Sequence, residues 1–362
     1  MIYIAWFIFF FALVQLIISF INSVSRSQLT GMYEPYNGLI SVLIPVRNEE
    51  HTIHNILNDL VLQEYQNIEV LVFDDESNDN SVAVIEKHIK LDPRISLIRS
   101  TGLPAGWLGK NYACHTLSQH ARGEYFLFLD ADVRIEHDAI LKAVSHMRHY
   151  SLGLLSVFPR QIMKTRGEQL TVPVMNYILL SLLPLMLVRI SGFSSLAAAN
   201  GQFMFFKAAH YMALSPHEKL RMHKVEDIAI ARYFKKEQIT VACMVGDDTI
   251  QCRMYDSYQS AIAGFSKNII AFFGNSSVLA ILFWIITTAG IFFILSELNQ
   301  WYTSLYILIF LLTRVFVSLV SHQNVLRNIV YIVPHQIIFG LLIYKAIINK
   351  YSGQYKWKGR SI

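Results

Sequence analysis

Apolar residues along the chain fall into runs of two lengths. Four runs are long and almost free of charge, residues 2–21, 278–295, 304–320 and 329–348. Each is near the roughly 20 residues a helix needs to cross the hydrocarbon core of a bilayer. From Leu39 onward the runs are short and alternate with amphipathic stretches. LISVLIPV, IEVLVFDD, ISLIRS, YFLFLDAD and LGLLSVFP read as strands, and residues 51–62, 81–89, 111–121 and 137–148 between them as helices, a βαβ rhythm. Strands apolar throughout, rather than alternating, belong to a mostly parallel sheet covered by helices on both faces. The predicted fold class is therefore α/β, with membrane helices at both ends. Residues 1–22 form the first transmembrane helix, 23–38 a polar linker, 39–275 the α/β domain, 276–350 the C-terminal membrane helices and 351–362 a basic tail.

Composition agrees with a mixed molecule, since 53% of residues are hydrophobic yet 16% are charged, with a net charge of +5. The first run is an anchor rather than a cleaved leader. No Lys or Arg precedes it, it is long, and no small-x-small site stands before Arg26. Arg26 and most Lys and Arg lie between the anchor and the C-terminal block, which puts the α/β domain on the cytoplasmic face of the cell membrane in a multi-pass protein. Three full C-terminal crossings would leave Lys356, Lys358 and Arg360 outside, against that rule. The third run, interrupted by Pro334-His335, is therefore the one expected to be re-entrant or interfacial. Residues 170–188 are also apolar, but a crossing there would separate Asp130 and Asp132 from Glu226 and Asp227. A helix over about 168–190 lying in the interface is expected, with a buried core helix as its rival. Cys114, Cys243 and Cys252 are an odd set without redox or metal spacing, as in a reduced compartment, and 13 histidines show no zinc-ligand pattern. Nucleic acid is not an expected partner.

The chemistry gathers at strand ends. The first strand closes in Pro45-Val46-Arg47-Asn48-Glu49-Glu50, the second in Asp74-Asp75-Glu76-Ser77, and the fourth in Asp130-Ala131-Asp132. Each cluster alone reads as a helix cap. Three at one sheet edge fall where an open α/β sheet binds its ligand, and two carboxylates one residue apart can present oxygens to a hard cation. The turn Gly106-Trp107-Leu108-Gly109-Lys110 leads into a helix whose N-terminus, with Lys110, favours phosphate. Glu226 and Asp227 open a helix that ends in Lys235 and Lys236, an arrangement that complements the helix dipole whatever else it does. Arg253 and Lys267, just before the membrane block, suit either a departing diphosphate or lipid phosphates.

Together these motifs resemble the family 2 glycosyltransferases over residues 39–267. That family carries Pro-x-x-Asn-Glu, Asp-Asp-x-Ser and Asp-x-Asp on a GT-A nucleotide-diphospho-sugar transferase fold. The resemblance implies that Pro45, Asn48 and Glu49 frame the nucleoside of a UDP-sugar. Asp74 or Asp75 then hydrogen-bonds uracil and ribose, Asp130 contacts ribose, and Asp132 ligates Mg²⁺ or Mn²⁺ on the diphosphate near Lys110 and Arg253. Asn200, Gly201 and Gln202 line the sugar and acceptor pocket, and Asp227, beside Glu226, is the general base of inverting transfer. Glu76 stands where the family carries Gly, a departure that bears on the tightness of its loop.

A narrower likeness is to the carotenoid-acid glycosyltransferases of the 4,4'-diaponeurosporenoate type. It rests on Arg47 to Glu50, Gly106 to Lys110, Arg253-Met254-Tyr255, Gly264 to Asn268, and Trp357-Lys358-Gly359-Arg360. It implies glucose transfer to an apocarotenoid acid, a membrane lipid acceptor. Hopanoid or other lipid acceptors remain open. A processive polysaccharide synthase would need Gln-x-x-Arg-Trp and more spans. A non-catalytic membrane scaffold is opposed by the carboxylates present at every expected position.

Overall fold

The computed structural model describes residues 1–25, 28–29, 34–352, 356–357 and 360–361. Arg26 and linker residues 27 and 30–33 lie outside the described residues, as do tail residues 353–355, 358–359 and 362, Lys358 among them.

The short apolar runs form a seven-stranded sheet from β1 (Ile40–Val46), β2 (Ile68–Asp74), β3 (Ile95–Arg99), β4 (Tyr125–Leu129), β6 (Leu154–Phe158), β8 (Phe203–Lys207) and β9 (Val241–Val245). The spatial order is β3-β2-β1-β4-β8-β6-β9, and β8 alone runs antiparallel to its neighbours. A three-stranded sheet of β5 (Val133–Ile135), β10 (Ile250–Cys252) and β7 (Arg160–Gln161) flanks the strand tips. Residues of β8 alternate between two cores. Phe203 and Phe205 join Ile44, Ile56 and Val144 on one face, while Met204 and Phe206 join Leu117, Tyr211 and Phe234 on the other. Each of those fully buried phenylalanines contributes about 1.5–3 kcal/mol by leaving water.

The first core lies under helices α2 (Ile53–Val61), α3 (Ser81–Leu91) and α5 (Ala139–His149). The second lies under α4 (Gly109–His120), α8 (Ala208–Leu214), α9 (Pro216–Lys219) and α10 (Glu226–Lys236). It continues without a break into α6 (Arg166–Leu182), α7 (Leu185–Ile190), α11 (Tyr258–Asn268) and the 3₁₀ turn Ile269–Phe273.

Among the described residues four helices are long and apolar enough to cross a membrane: α1 (Ile2–Val24), α12 (Ser277–Glu297), α13 (Gln300–Val320) and α15, of which residues Ile332–Lys350 qualify. Helices α1 and α13 run parallel, with Trp6 against Tyr302 at one end and Phe20 against Phe316 at the other. Helix α12 runs against them, since Phe283 meets Phe11 and Gly290 meets Ile8. After the short α14 (Val325–Val330), α15 (Ile332–Ser352) is a single helix. Pro334 sits in its first turn, where the missing amide hydrogen has no helical acceptor to lose, so it does not interrupt the helix as the sequence suggested. Both ends of α15 touch the α/β domain's own helices, His335 at the Gln169 carbonyl of α6 (3.0 Å) and Asn349 at Ser266 of α11 (3.5 Å).

The helix expected to lie on the bilayer is instead two helices, split at Leu183-Pro184, and α6 is enclosed by protein. The physical reason is polar. Gln15 and Asn22 of α1 need partners inside an apolar bundle. They find Tyr177, Ser181 and the Leu180 and Leu183 carbonyls at 2.9–3.2 Å. Only Met186, Ile190 and Phe193, around α7, keep apolar side chains exposed.

Candidate active site

The tips of β1 and β4, the loop before β8 and the first turn of α10 open onto one cavity of about 480 Å³. Strand-tip residues Pro45, Arg47, Glu49, Asp130 and Asp132 form its floor, and Lys110, Asn200, Gly201, Gln202, Glu226 and Asp227 its inner wall. Its roof comes from α6, α11 and the 3₁₀ turn, including Met175, Asn176, Lys267 and Phe272. One side of the cavity is thus built by polar strand ends and the other by helices that pack on the membrane block.

At its centre Lys110 is ringed by acids. Its Nζ lies 2.8 and 3.0 Å from the two Asp130 oxygens and 3.7 Å from Glu226, and it donates to the Gly201 carbonyl at 3.4 Å. Burial opposes the ammonium's charge, yet Asp130 and Glu226 outweigh it and hold the Lys110 pKa above its usual value. Asp227 accepts from the amides of Gly201 (3.0 Å) and Ile228 (2.7 Å), which fixes both of its oxygens. Burial, reinforced by Asp130, raises its pKa against those hydrogen bonds and Lys110. Glu226 is pushed up to about 7, by burial first and then by Asp227 and Asp130, with Lys110 opposing. A carboxyl poised near neutrality beside a fixed carboxylate can give or take a proton at working pH.

Gly201 is required by close approach. A Cβ there would stand 3.1 Å from the Lys110 ammonium and 3.4 Å from Glu226. Asn200 and Gln202 hold the loop. Asn200 exchanges hydrogen bonds with Ser156, and the Gln202 amide donates to the Cys252 sulfur at 2.8 Å. In the turn before α4 it is Gly106, at φ 79°, that needs glycine's freedom, while Gly109 lies within the helix.

Asp132 lines the cavity near Cys252, whose thiol is raised by burial and then by the charges of Asp132 and Asp130. Among the described residues no group of three or more His, Cys, Asp or Glu could cage a metal.

Four expected donor residues do not line this cavity. Asp75 is 1% exposed and turned toward Arg47, whose Nη1 lies 3.8 Å from it and also bonds its carbonyl. Asp74 accepts from the Ser77 amide within its own loop (3.3 Å), and Asn48 accepts from Asn78 (2.8 Å). These contacts join the β1 and β2 tips beside Arg47 and Glu49. Glu76 and Asn48 both adopt left-handed backbone, at φ 55° and 53°. The tight loop therefore survives without glycine, at a local conformational cost. Arg253 pairs with Glu168 at the start of α6 (2.8 Å), which ties the β10 end to the roof of the cavity. Residues the sequence reading missed are Arg47, Gln161, Asn176 and Lys224. Asn176 had a signal, as the lone amide in an apolar run.

Comparison with known proteins agrees with this fold. Residues 41–206 match the family described as Glycosyl transferase family 2. A 4,4'-diaponeurosporenoate glycosyltransferase of Staphylococcus haemolyticus is 26% identical over 240 residues, 64% of this chain and 60% of that protein. The protein of that name from Staphylococcus aureus is 25% identical over 68% of this chain and 65% of its own length. The matched segments thus span less than two thirds of these relatives. A mannosyltransferase from Pyrobaculum calidifontis, solved with GDP-Man and Mn²⁺, superposes with a TM-score of 0.55 at 16% identity, over 95% of this chain and 99% of that one. It shares the fold.

Proposed function

We propose, from the premise that residues 41–206 form a family 2 glycosyl transferase domain of GT-A fold, that this chain is an inverting glycosyltransferase acting on a membrane lipid. The donor is a nucleotide diphosphate sugar, UDP-glucose in this reading, and the acceptor an apocarotenoid acid, which would yield a glycosyl ester. The single observation that carries it is the shared cavity. Asp130, Asp132, Lys110 and the Glu226-Asp227 pair face one space whose roof is packed against apolar helices. A soluble donor and a lipid acceptor can then each arrive from its own phase.

In this reading Pro45, Arg47 and Glu49 seat the nucleoside, and Asn200 to Gln202 shape the sugar pocket. Asp132 would hold Mg²⁺ or Mn²⁺, which supplies charge neutralisation for the leaving diphosphate. An acceptor carboxylate oxygen attacks the anomeric carbon from the face opposite the diphosphate. The new C–O bond forms as the bond to the diphosphate breaks, and the nucleoside diphosphate leaves with that electron pair. A carboxylate needs no base. Protonated Glu226 is suited to hold it by a hydrogen bond, and Asp227, fixed by two amides, orients Gly201 and the sugar. An acceptor hydroxyl would instead pass its proton to this pair.

The reading is tested by offering radiolabelled UDP-glucose to membranes containing the protein, with apocarotenoid acids, hopanoids and diacylglycerol as parallel acceptors. Label in a base-labile carotenoid ester is the expected product. Transfer to a hopanoid or to diacylglycerol alone would move the acceptor, and no transfer to any lipid would end the proposal.

A further inference from the structure

Two smaller cavities adjoin the active-site cavity along α10, Val225 and Ile228 bordering the first as well and Leu179, Ile228 and Phe272 the second, and they differ in character. The first, about 300 Å³, is walled by Lys219, His223, Arg232 and Lys236, with Tyr233 and Asn275, and no acidic side chain borders it. The second, about 180 Å³, is walled by apolar residues such as Ile178, Leu182, Leu196 and Phe272, with Arg232 its one charged residue. Arg232, Ile228 and Ala271 border both. The basic space and the apolar space therefore meet at one guanidinium.

That guanidinium has no partner among the described residues. Arg232 Nε is sealed from solvent without a hydrogen bond, and no ion pair reaches the side chain among the described residues. A half-buried arginine left in this condition is costly unless an anion completes it. Lys219 and Lys236 are exposed at the rim and add charge of the same sign. The location matters too. Ala271 and Asn275 precede Ser277, the first residue of α12, and the apolar space adjoins the segment carrying exposed Ile190 and Phe193. The pair of cavities thus sits where the chain enters the bilayer.

We propose that these joined cavities form a second lipid site, beside the catalytic one and sharing its wall, that takes an anionic phospholipid. Its phosphate would be held by Arg232, Lys219 and Lys236, and the start of one acyl chain would lie in the apolar space. Arg232 lies on the same helix as Asp227, so an occupied site braces α10 against the membrane.

The full-length protein in neutral detergent, followed by thermal unfolding, tests this with three probes: phosphatidylglycerol, phosphatidylcholine and inorganic phosphate. Phosphatidylglycerol is expected to raise Tm saturably. Phosphatidylcholine should leave Tm unchanged, and phosphate alone should act only at far higher concentration. Arg232→Gln is expected to raise the half-saturating phosphatidylglycerol concentration roughly tenfold, the scale of one charge-assisted contact. The double variant Lys219→Glu, Lys236→Glu alters only exposed residues and should do likewise, which keeps the test decisive if the arginine variant folds poorly. Equal effects of the two lipids, or an unchanged response in the double variant, would overturn the proposal. A phosphate response as strong as the lipid response would also overturn it, by reducing the site to an ion site.

Discussion

The Lys110 ammonium stands 3.7 Å from the Glu226 carboxylate while it is held at 2.8 Å by Asp130. One cation thereby spans the gap between the tip of β4, where the donor is expected, and the first turn of α10, where the acceptor is expected. The pairing makes the protonation of Glu226 sensitive to whatever occupies the donor side. Phosphates drawing Lys110 away would raise the Glu226 pKa further, because the Lys110 charge is what opposes burial there.

The first prediction concerns pH. If protonated Glu226 holds an acceptor carboxylate, kcat/KM falls as pH rises through about 7. Glu226→Gln, which still donates, should lose that limb and stay within about tenfold of wild type below it. A limb that persists unchanged in the variant assigns it to another group. Stability gives an independent readout. Between 4.5 and about 7 the folded state keeps a proton that the unfolded chain has released. This group's contribution to stability is therefore lost as pH rises across that window. The difference in Tm between wild type and Glu226→Gln should follow it.

Gly201→Ala isolates geometry from chemistry. The added methyl would meet Lys110 at 3.1 Å and Glu226 at 3.4 Å, so the charged groups must shift by a few tenths of an ångström while the fold has room to stay intact. Transfer should fall roughly tenfold or more, since misplacement of reacting groups is amplified in rate. Tm should change little. A Tm loss that accounts for the whole activity loss would contradict this.

Asp132→Asn tests the metal. Chelation by EDTA should abolish transfer by the wild type, and Mn²⁺ or Mg²⁺ should restore it. The variant should need at least about tenfold more cation for half-activation, the scale seen when groups supporting a metal are removed. Restoration curves that coincide would place the ion elsewhere.

Much of this was legible in the sequence because its causes are local. Apolar strands ending in Asp130-Ala131-Asp132 or Pro45 to Glu49 announce both the sheet and the edge where polar groups collect. What escaped depends on partners far apart in the chain. The pairing of Arg253 with Glu168, 85 positions away, is invisible from either segment alone. So is the pairing of Asp75 with Arg47 across two strand tips. The helix over 168–190 reads as bilayer-bound from its own composition, and only Gln15 and Asn22 of α1 show why protein covers it.

The pairing of Arg253 with Glu168 is itself testable. Glu168 is fully buried, one oxygen serving the Lys164 and Thr165 amides and the other only Arg253. Arg253→Met leaves that second oxygen unmatched in the interior, which should cost about 2 kcal/mol of stability. It should also loosen the roof of the cavity. The KM for the donor should change less than Tm suggests. A large rise in donor KM with unchanged Tm would return Arg253 to the diphosphate.

The last prediction concerns which side of the membrane the C-terminus occupies. Helix α15 has the length and composition to cross, yet its first turn bonds α6 and its last turn bonds α11, both part of the α/β domain. A helix leaving that domain for the opposite face would touch it at one end only. Lys350 should therefore lie on the same side as Asp132 and Asp227. The three native cysteines are buried, so they give little background. A Lys350→Cys variant in intact cells should resist a membrane-impermeant maleimide and become labelled only after permeabilisation. Labelling in intact cells, with a cysteine at exposed Glu136 still protected, would show that α15 crosses after all.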